Sequence, residues 1–389
     1  MDPIRNRILQ SITGAAMAVA LAASAQTPAP STPEQAPAPA PAAASTWSVG
    51  PMDLSGLIDG YYSYNANRPA DAANGQTNDL YNFNDKTDQF SLAEARLTLN
   101  HDPDPVGARV DLLFGRAETI VNGSTATGNE GQFLEQAFLS LKPSRARGLE
   151  MDFGKFVTSA GAEVIEAKDD WSYSRGILFA WAIPFYHFGL RTSMPVSKSE
   201  TLGLQVVNGW NNVTKSNGGV TIGVTSALVQ PKFSWFVNYY TGPENMTTQK
   251  GYRNLIDTTL TLAPAAKLSA YINYDYGQNR DALPAQGDTA LNHWQGVAFA
   301  LHSPVTATSA LTGRYEYFKD PNGYSTGTAQ TLQEFTGTYE YKWAEGLLTR
   351  VEYRRDWSDQ PFFHKGDSNF VDAQSTVTMA FIAFFGPKR

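Results

Sequence analysis

The amino-acid sequence predicts an all-β chain, a transmembrane antiparallel β-barrel of about 16 strands with short periplasmic turns and long extracellular loops. Polar and apolar residues alternate with a period of two, and the connections between alternating segments are short and long in turn. Charged residues are 17% of the 389 residues and aromatic residues 12%, whereas soluble domains carry roughly 25% charged residues. These observations favour a barrel wall with one wet face and one dry face over a soluble domain.

The composition excludes several classes of function. The chain has no cysteine, which excludes disulfides, thiolate metal sites and thiol nucleophiles. A net charge of −7 offers no basic footprint for nucleic acid. The five histidines lack metal-ligand spacing, and no nucleophile elbow, phosphate loop or dinucleotide fingerprint occurs. The sequence therefore predicts no catalytic residues, no cofactor and no metal; the acidic runs Asn82-Asp85-Asp88 and Asp275-Asp281-Asp288 lack EF-hand spacing.

The N-terminus has the plan of a secretory signal. Arg5 and Arg7 precede an apolar stretch, and Ala23-Ser24-Ala25 offers a cleavage site, so we expect a signal peptide over 1–25. A buried core helix or an uncleaved anchor is the alternative. An Ala/Pro-rich stretch over 26–46 predicts a periplasmic linker, which leaves 47–389 for the barrel. No run of 18 apolar residues follows the signal, which disfavours spanning helices and leaves a closed barrel as the way to cross a membrane.

Sixteen segments alternate with period two. Val351 and Tyr353, for example, alternate with three charged residues, Arg350, Glu352 and Arg354. The predicted strands are 53–65, 89–101, 106–118, 132–142, 148–157, 185–195, 200–210, 219–230, 232–241, 254–263, 267–277, 292–302, 306–318, 331–343, 347–357 and 372–385. The count carries an error of two, because 175–184 is interpretable either as a strand or as part of a loop.

The connections sort by parity. Short turns such as Asp102-Pro103-Asp104-Pro105 alternate with long loops rich in Asn, Gly, Asp, Thr and Ser, of which 158–184 is the longest. Such sorting is typical of an outer-membrane barrel, and a soluble sandwich has no reason for it. Aromatic residues near predicted strand ends predict two interfacial girdles: Tyr61, Tyr62, Tyr64, Trp210, Tyr239, Tyr240, Tyr274, Tyr276, Trp343, Trp357, Phe384 and Phe385.

Three stretches resemble the OmpL-like β-barrel porin family. They are LSGLIDGYYSYNANRP from Leu54 to Pro69, the segment from Phe90 to Gly115 with LTLN and RVDLLFG, and SRGILFAWAIPFYHFGLRTSMP from Ser174 to Pro195. The resemblance implies pore formation in the bacterial outer membrane. It also implies contacts with outer-membrane lipid and lipopolysaccharide, the barrel-assembly machinery and small hydrophilic solutes, and it leaves a homotrimer open.

The alternation turns charged residues of both signs toward the lumen, where charge costs less than on the lipid face. The predicted pore-lining residues are Arg96, Arg109, Asp111, Arg191, Arg314, Glu316, Arg350, Glu352 and Arg354. Opposed acidic and basic ladders would create a transverse field that sets ion preference. Alternatively, the charges pair across strands and stabilise the wall.

The longest loop is the candidate constriction of the pore. It carries Glu163, Glu166, Lys168, Asp169, Asp170 and Arg175, a set in which acids would favour cations at a constriction. An extracellular flap is the alternative. Trp171, Tyr173 and Trp181 would either stack sugars or pack this loop against the wall.

The function expected from these residues is passive diffusion of small hydrophilic solutes or ions through a water-filled barrel with charge-based selectivity. Two alternatives remain open. A barrel-embedded hydrolase would use inward-facing His187 with a serine and an acid, although a structural histidine is the simpler interpretation. A structural or adhesin barrel would not conduct, because its long loops would plug the lumen.

Overall fold

A computed structural model of the chain describes residues 48–70, 76–123, 131–281 and 290–387. The predicted signal peptide (1–25) and linker (26–46) lie outside the described residues. Sixteen long strands form one closed antiparallel barrel. They are β1 Met52–Asn65, β2 Phe90–His101, β3 Val106–Phe114, β4 Leu134–Leu141, β5 Glu150–Val157, β6 Tyr186–Pro195, β7 Glu200–Val207, β8 Thr221–Gln230, β9 Phe233–Gly242, β10 Arg253–Ala265, β11 Leu268–Arg280, β12 Leu291–Pro304, β13 Ser309–Asp320, β14 Gln330–Ala344, β15 Leu347–Ser358 and β16 Ala373–Phe385.

Each strand pairs with its neighbours in the sequence, and β16 closes the barrel on β1. The closing register runs from Thr376 opposite Asn65 to Phe385 opposite Gly56. Short connections such as 231–232 and 345–346 lie at one rim, and long ones such as 158–185 at the other. The predicted class, the count of 16 strands and the sorting of the loops are confirmed.

The strands form because every second side chain faces the interior and the others face outward. On β15, Arg350 and Arg354 are buried while Val351 and Tyr353 are more than 40% exposed. This inverts the polarity of a soluble protein, since the outer face must dissolve in hydrocarbon while the inner face can bury polar groups that satisfy each other.

The third predicted strand (106–118) is too long. β3 ends at Phe114, and the chain then forms helix α1 (Arg116–Asn122). Gly115 breaks the strand with a φ of 95°, and the helix buries Ala117 and Val121 in an apolar cluster at the extracellular end. Helical spacing of these two residues therefore prevails over strand propensity.

Short elements complete the loops. A 3₁₀ turn covers Ala167–Asp169, and helix α2 covers Ile177–Trp181, so 175–184 is loop and helix and adds no strand. Ser48–Val49 folds back on β1, and Phe363–Lys365 pairs with Asn369–Val371 in the last long loop. Among the described residues, no helix is long and apolar enough to cross a membrane.

The predicted aromatic girdles are partly wrong. Tyr62, Tyr64, Tyr239, Tyr274, Trp343 and Phe385 are exposed on the outer face. Tyr61 and Tyr240 instead have the inward phase of their strands and are buried, and Trp210 packs against Trp294 inside the extracellular end. Proximity to a strand end was the wrong criterion, because phase within the strand decides which face a ring occupies.

Candidate functional site: the loop inside the barrel

Residues 158–184, here called the inner loop, run inside the barrel and contact the wall on several sides. Near the start of the loop, the Ser159 carbonyl accepts a hydrogen bond from Asn238 of β9 at 2.9 Å. Farther along, the Trp171 ring lies 5.3 Å from the rings of Tyr271 on β11 and His302 on β12. The loop therefore reaches from the extracellular rim toward the periplasmic ends of these strands.

Arginines of the wall hold the loop by its backbone carbonyls. Arg350 donates to the carbonyls of Asp170 (2.5 Å) and Ser172 (3.0 Å) and also to that of Ala167. Arg314 donates to the Ser174 carbonyl at 2.7 Å. Irregular backbone inside a barrel needs such partners, because a buried unpaired carbonyl is costly.

Glutamates of the wall hold the same segment by its backbone N–H groups. Glu352 accepts hydrogen bonds from the backbone nitrogens of Tyr173 at 2.6 Å and Ser174 at 3.0 Å. Glu316 accepts one from the nitrogen of Ile177, the first residue of α2. Charged acceptors strengthen such bonds. Side chains of the wall therefore bind both the N–H donors and the carbonyl acceptors of the loop's main chain.

Each of the six predicted pore-lining arginines also forms an ion pair. The pairs are Arg96 with Asp111 (2.7 Å), Glu135 (2.9 Å) and Glu166, Arg109 with Asp111 (2.9 Å), Arg191 with Asp152 (2.7 Å), Arg314 with Glu334 (2.9 Å) and Glu163 (2.5 Å), Arg350 with Glu340 (2.7 Å), and Arg354 with Asp356 (2.7 Å). The geometry thus gives the pairing alternative a concrete form, in the wall and across to the loop.

The predicted constriction residues divide into two groups. Glu163, Glu166, Asp170 and Arg175 point into the packed interior; Asp170 and Arg175 lie 3.3 Å apart. Lys168 and Asp169 pair with each other at 2.5 Å and are each more than a quarter exposed. The exposed charge of the loop is therefore one ion pair at its tip.

The aromatic residues of the loop pack against the wall and against the loop that joins β1 to β2. The Tyr173 hydroxyl donates to Asp59 of β1 at 2.9 Å, and Trp181 donates to the Leu80 carbonyl at 3.2 Å. Burial, reinforced by the nearby Asp59 carboxyl, raises the pKa of Tyr173 well above its usual range, so this hydroxyl stays a neutral donor. These contacts favour packing over an open stacking surface for sugars.

His187 is a buried residue of β6. Its Nδ1 lies 3.0 Å from the Gly209 carbonyl, and its ring stacks on Tyr240 with centroids 4.9 Å apart. At 1% exposure the imidazole has no access for a substrate. These contacts fit the structural interpretation of His187.

The comparisons place this architecture in a family. A model of the family described as "Putative beta-barrel porin-2, OmpL-like" matches residues 51–385. The chain belongs to this family. Its barrel accordingly lies in the bacterial outer membrane and has a porin or channel role.

Solved outer-membrane proteins share the fold of this porin. The channel DcaP of Acinetobacter baumannii gives a TM-score of 0.56 at 13% identity, over 86% of this chain and 97% of that one. The trimer form of OmpT from Vibrio cholerae gives 0.56 at 12%, over 86% and 99%. An anion-selective porin from Comamonas acidovorans gives 0.55 at 11%, over 86% and 99%. A sequence comparison with curated proteins found no significant match.

The sequence analysis missed several interior acids of this porin. Glu334 and Asp356 share the inward phase of Arg354, and the alternation alone would have found them. Asp257 and Asp275 also alternate inward, but neither was predicted to line the pore, and Asp275 was considered only as part of an acidic run without EF-hand spacing. Glu135 escaped because a bulge shifts the register between Asp111 and Leu112, and such a shift has no signal in the alternation.

Proposed function

We propose that this porin passes small hydrophilic solutes or ions by passive diffusion, with the inner loop as its constriction and with a preference for cations. The observation that carries the proposal is the attachment of the loop to the wall. Arg314, Arg350 and Glu352 bind its main chain inside the barrel, so a solute crossing the barrel must pass beside it. No step needs a covalent intermediate or a nucleotide, and the proposal includes no enzymatic activity.

The expected cation preference follows from unequal pairing. The six wall arginines all have carboxylate partners, whereas Asp257 and Asp275 form no ion pair among the described residues. Asp59 and Glu94 share the nearby Arg175 with Asp170. Unbalanced acids in a low-dielectric interior attract cations and repel anions. Even if protonation neutralises some of these acids, the arginines remain compensated, so no positive excess arises.

The test is planar-bilayer recording of the refolded mature chain with a salt gradient. We expect discrete conductance steps and a reversal potential of the sign for cations. Deleting the loop tip (166–171) should raise the single-channel conductance several-fold, because its removal widens the path. Conductance unchanged by the deletion, or a reversal potential of the opposite sign, would contradict the assigned constriction or selectivity respectively.

One observation favours a second candidate, a barrel closed by its own loop. Interior charges at mid-depth are almost completely buried: Arg314, Glu316 and Glu352 are at most 2% exposed. In this form the porin would not conduct until the inner loop moves out of its position inside the barrel. Recording distinguishes the two, because a closed barrel gives no steps in the native chain but steps after the loop-tip deletion.

A trimer is part of the proposal. It is supported by the likeness of the barrel to a structure described as a trimer form and by the apolar outer face available for packing. Native mass spectrometry in detergent should give three chains per particle, and particles of a single chain would contradict the trimer.

A further inference from the structure

Two carboxylates face each other on the inner wall beneath the start of the inner loop. Asp257 of β10 and Asp275 of β11 are directly opposite in the strand register, and both are 0% exposed. Directly opposed side chains in an antiparallel pair have Cβ atoms about 5 Å apart. Two like charges at this separation destabilise the pair unless a cation or a shared proton lies between them.

Within the part of the chain that the structure describes, no basic side chain pairs with either carboxylate. Neither Asp257 nor Asp275 forms an ion pair among the described residues, and the further charged group close to Asp275 is another acid, Glu316. Asp59 and Glu94 are also directly opposed on neighbouring strands. That pair differs from Asp257 and Asp275 because a basic side chain, Arg175, lies near both of its carboxylates.

Unused oxygen atoms surround the pair. Both oxygens of Asp275 are buried without a hydrogen bond, although the Asp257 carboxyl and the Asn273 amide lie close to them. The hydroxyl of Thr259, which lies opposite Asn273, is likewise buried and unpaired. A buried hydroxyl and a buried carboxylate without partners are each costly, and a cation satisfies both.

The remaining neighbours support the carboxylates without neutralising them. Asn238 and Asn273 donate to the two oxygens of Asp257 at 2.7 and 2.8 Å. The backbone nitrogen of Gly161, in the inner loop, donates to Asp257 as well. These three donors orient Asp257 and leave about one of the four lone-pair sites of its carboxylate for a cation.

We propose that Asp257, Asp275 and Thr259 form a binding site for one divalent cation of the calcium type, which anchors the start of the inner loop. The two carboxylates and the hydroxyl supply hard oxygen ligands, the kind that Ca²⁺ prefers, and water completes its shell of six to eight. The burial of the site means that the cation enters during folding or when the loop lifts, so exchange is slow.

The experiment refolds the full mature chain with either 1 mM Ca²⁺ or excess chelator, about a thousandfold range around a micromolar site. Calcium is then counted by mass spectrometry after desalting, and unfolding is followed by tryptophan fluorescence. Asp275→Asn is the variant. Asp281→Asn is the matched control, because Asp281 lies just past the same strand and its carboxylate accepts hydrogen bonds from the side chains of Asn279 and Asn292. Heat-modifiable gel mobility verifies that each barrel has folded.

We expect about one Ca²⁺ per chain in the native protein and in the control, and less than a tenth of that in Asp275→Asn. The order of thermal stability of the native chain and Asp275→Asn should also depend on whether Ca²⁺ or chelator is present. With Ca²⁺ the native chain should unfold about 5 °C above the variant. With chelator the variant should equal or exceed it, because asparagine removes the uncompensated repulsion.

Three outcomes would overturn the proposal. One is a native chain without calcium after refolding in its presence; another is calcium retained by Asp275→Asn. The third is a protonated-carboxyl infrared band in the native chain that disappears in Asp275→Asn and does not respond to Ca²⁺, which would mean that the two acids share a proton instead. None of these outcomes bears on whether the porin conducts.

Discussion

Arg314→Met should be among the most damaging single substitutions in the barrel interior. The side chain of Arg314 is 0% exposed, and it bridges Glu334 of the neighbouring strand to Glu163 of the inner loop. Methionine keeps much of the volume but leaves two buried carboxylates without a cation. Removing one partner of a buried pair costs about 3–5 kcal/mol, and the lost hydrogen bond to the Ser174 carbonyl adds about 1 kcal/mol.

The assay is reversible urea unfolding in lipid vesicles, with tryptophan fluorescence as the probe. Arg109→Met is the matched control, because it removes the same group from the same barrel. Arg109 is about a third exposed, and its partner Asp111 keeps Arg96 at 2.7 Å and Gln136 at 2.6 Å. The control should therefore lose no more than about 1 kcal/mol.

The same variant reports on the loop. Because Arg314 holds Glu163 and the Ser174 carbonyl, its loss should free the inner loop and raise single-channel conductance, whereas Arg109→Met should leave the conductance nearly unchanged. A loss of stability for Arg314→Met equal to that of the control would refute the inference that this bridge carries the packing of the loop.

Three further substitutions test other parts of the structure. Phe153→Arg puts a charge on the outer face, where Phe153 is 60% exposed, and should cost about 2–4 kcal/mol in vesicle unfolding; a neutral result would place this position outside the hydrocarbon. Glu352→Gln keeps one acceptor for the backbone of Tyr173 and Ser174 and should raise open-channel noise without unfolding the barrel, so quiet recordings would contradict its anchoring role. Gly115→Val puts a β-branched residue at a φ of 95° and places its Cβ 3.0 Å from the Ala93 carbonyl oxygen. The free energy of unfolding, measured from urea midpoints, should fall by about 1–3 kcal/mol.

The barrel was predictable because its rules are local. Alternation with period two along one strand, as in Arg350 to Arg354, depends on neighbours two residues away, and loop length sorts by parity without any tertiary information. Helix α1 was missed because its helical pair, Ala117 and Val121, is only one turn long. A pattern of that length is indistinguishable from the end of a strand until its packing is known.

The partners inside the barrel were not predictable, because they join residues far apart in the sequence. Arg314 meets Glu163 across 151 positions, and the opposition of Asp257 and Asp275 depends on a register that a one-residue slip would abolish. The alternation predicted that acids and arginines would share the lumen. Which arginines are neutralised and which acids are left over depends on register and loop path, and under the proposed function these decide the sign of the field that a permeating ion meets.

The way in which the wall binds the loop has a consequence for what can vary. Arg314, Arg350 and Glu352 all contact main-chain atoms of the inner loop, which any amino acid except proline provides. The position of the inner loop inside the barrel therefore depends on charged residues of the wall. The exposed ion pair at its tip, Lys168 with Asp169, contributes little to holding the loop in place. If the inner loop is the constriction proposed above, the charge at its tip can change without loss of these main-chain contacts, because Lys168 and Asp169 take no part in them.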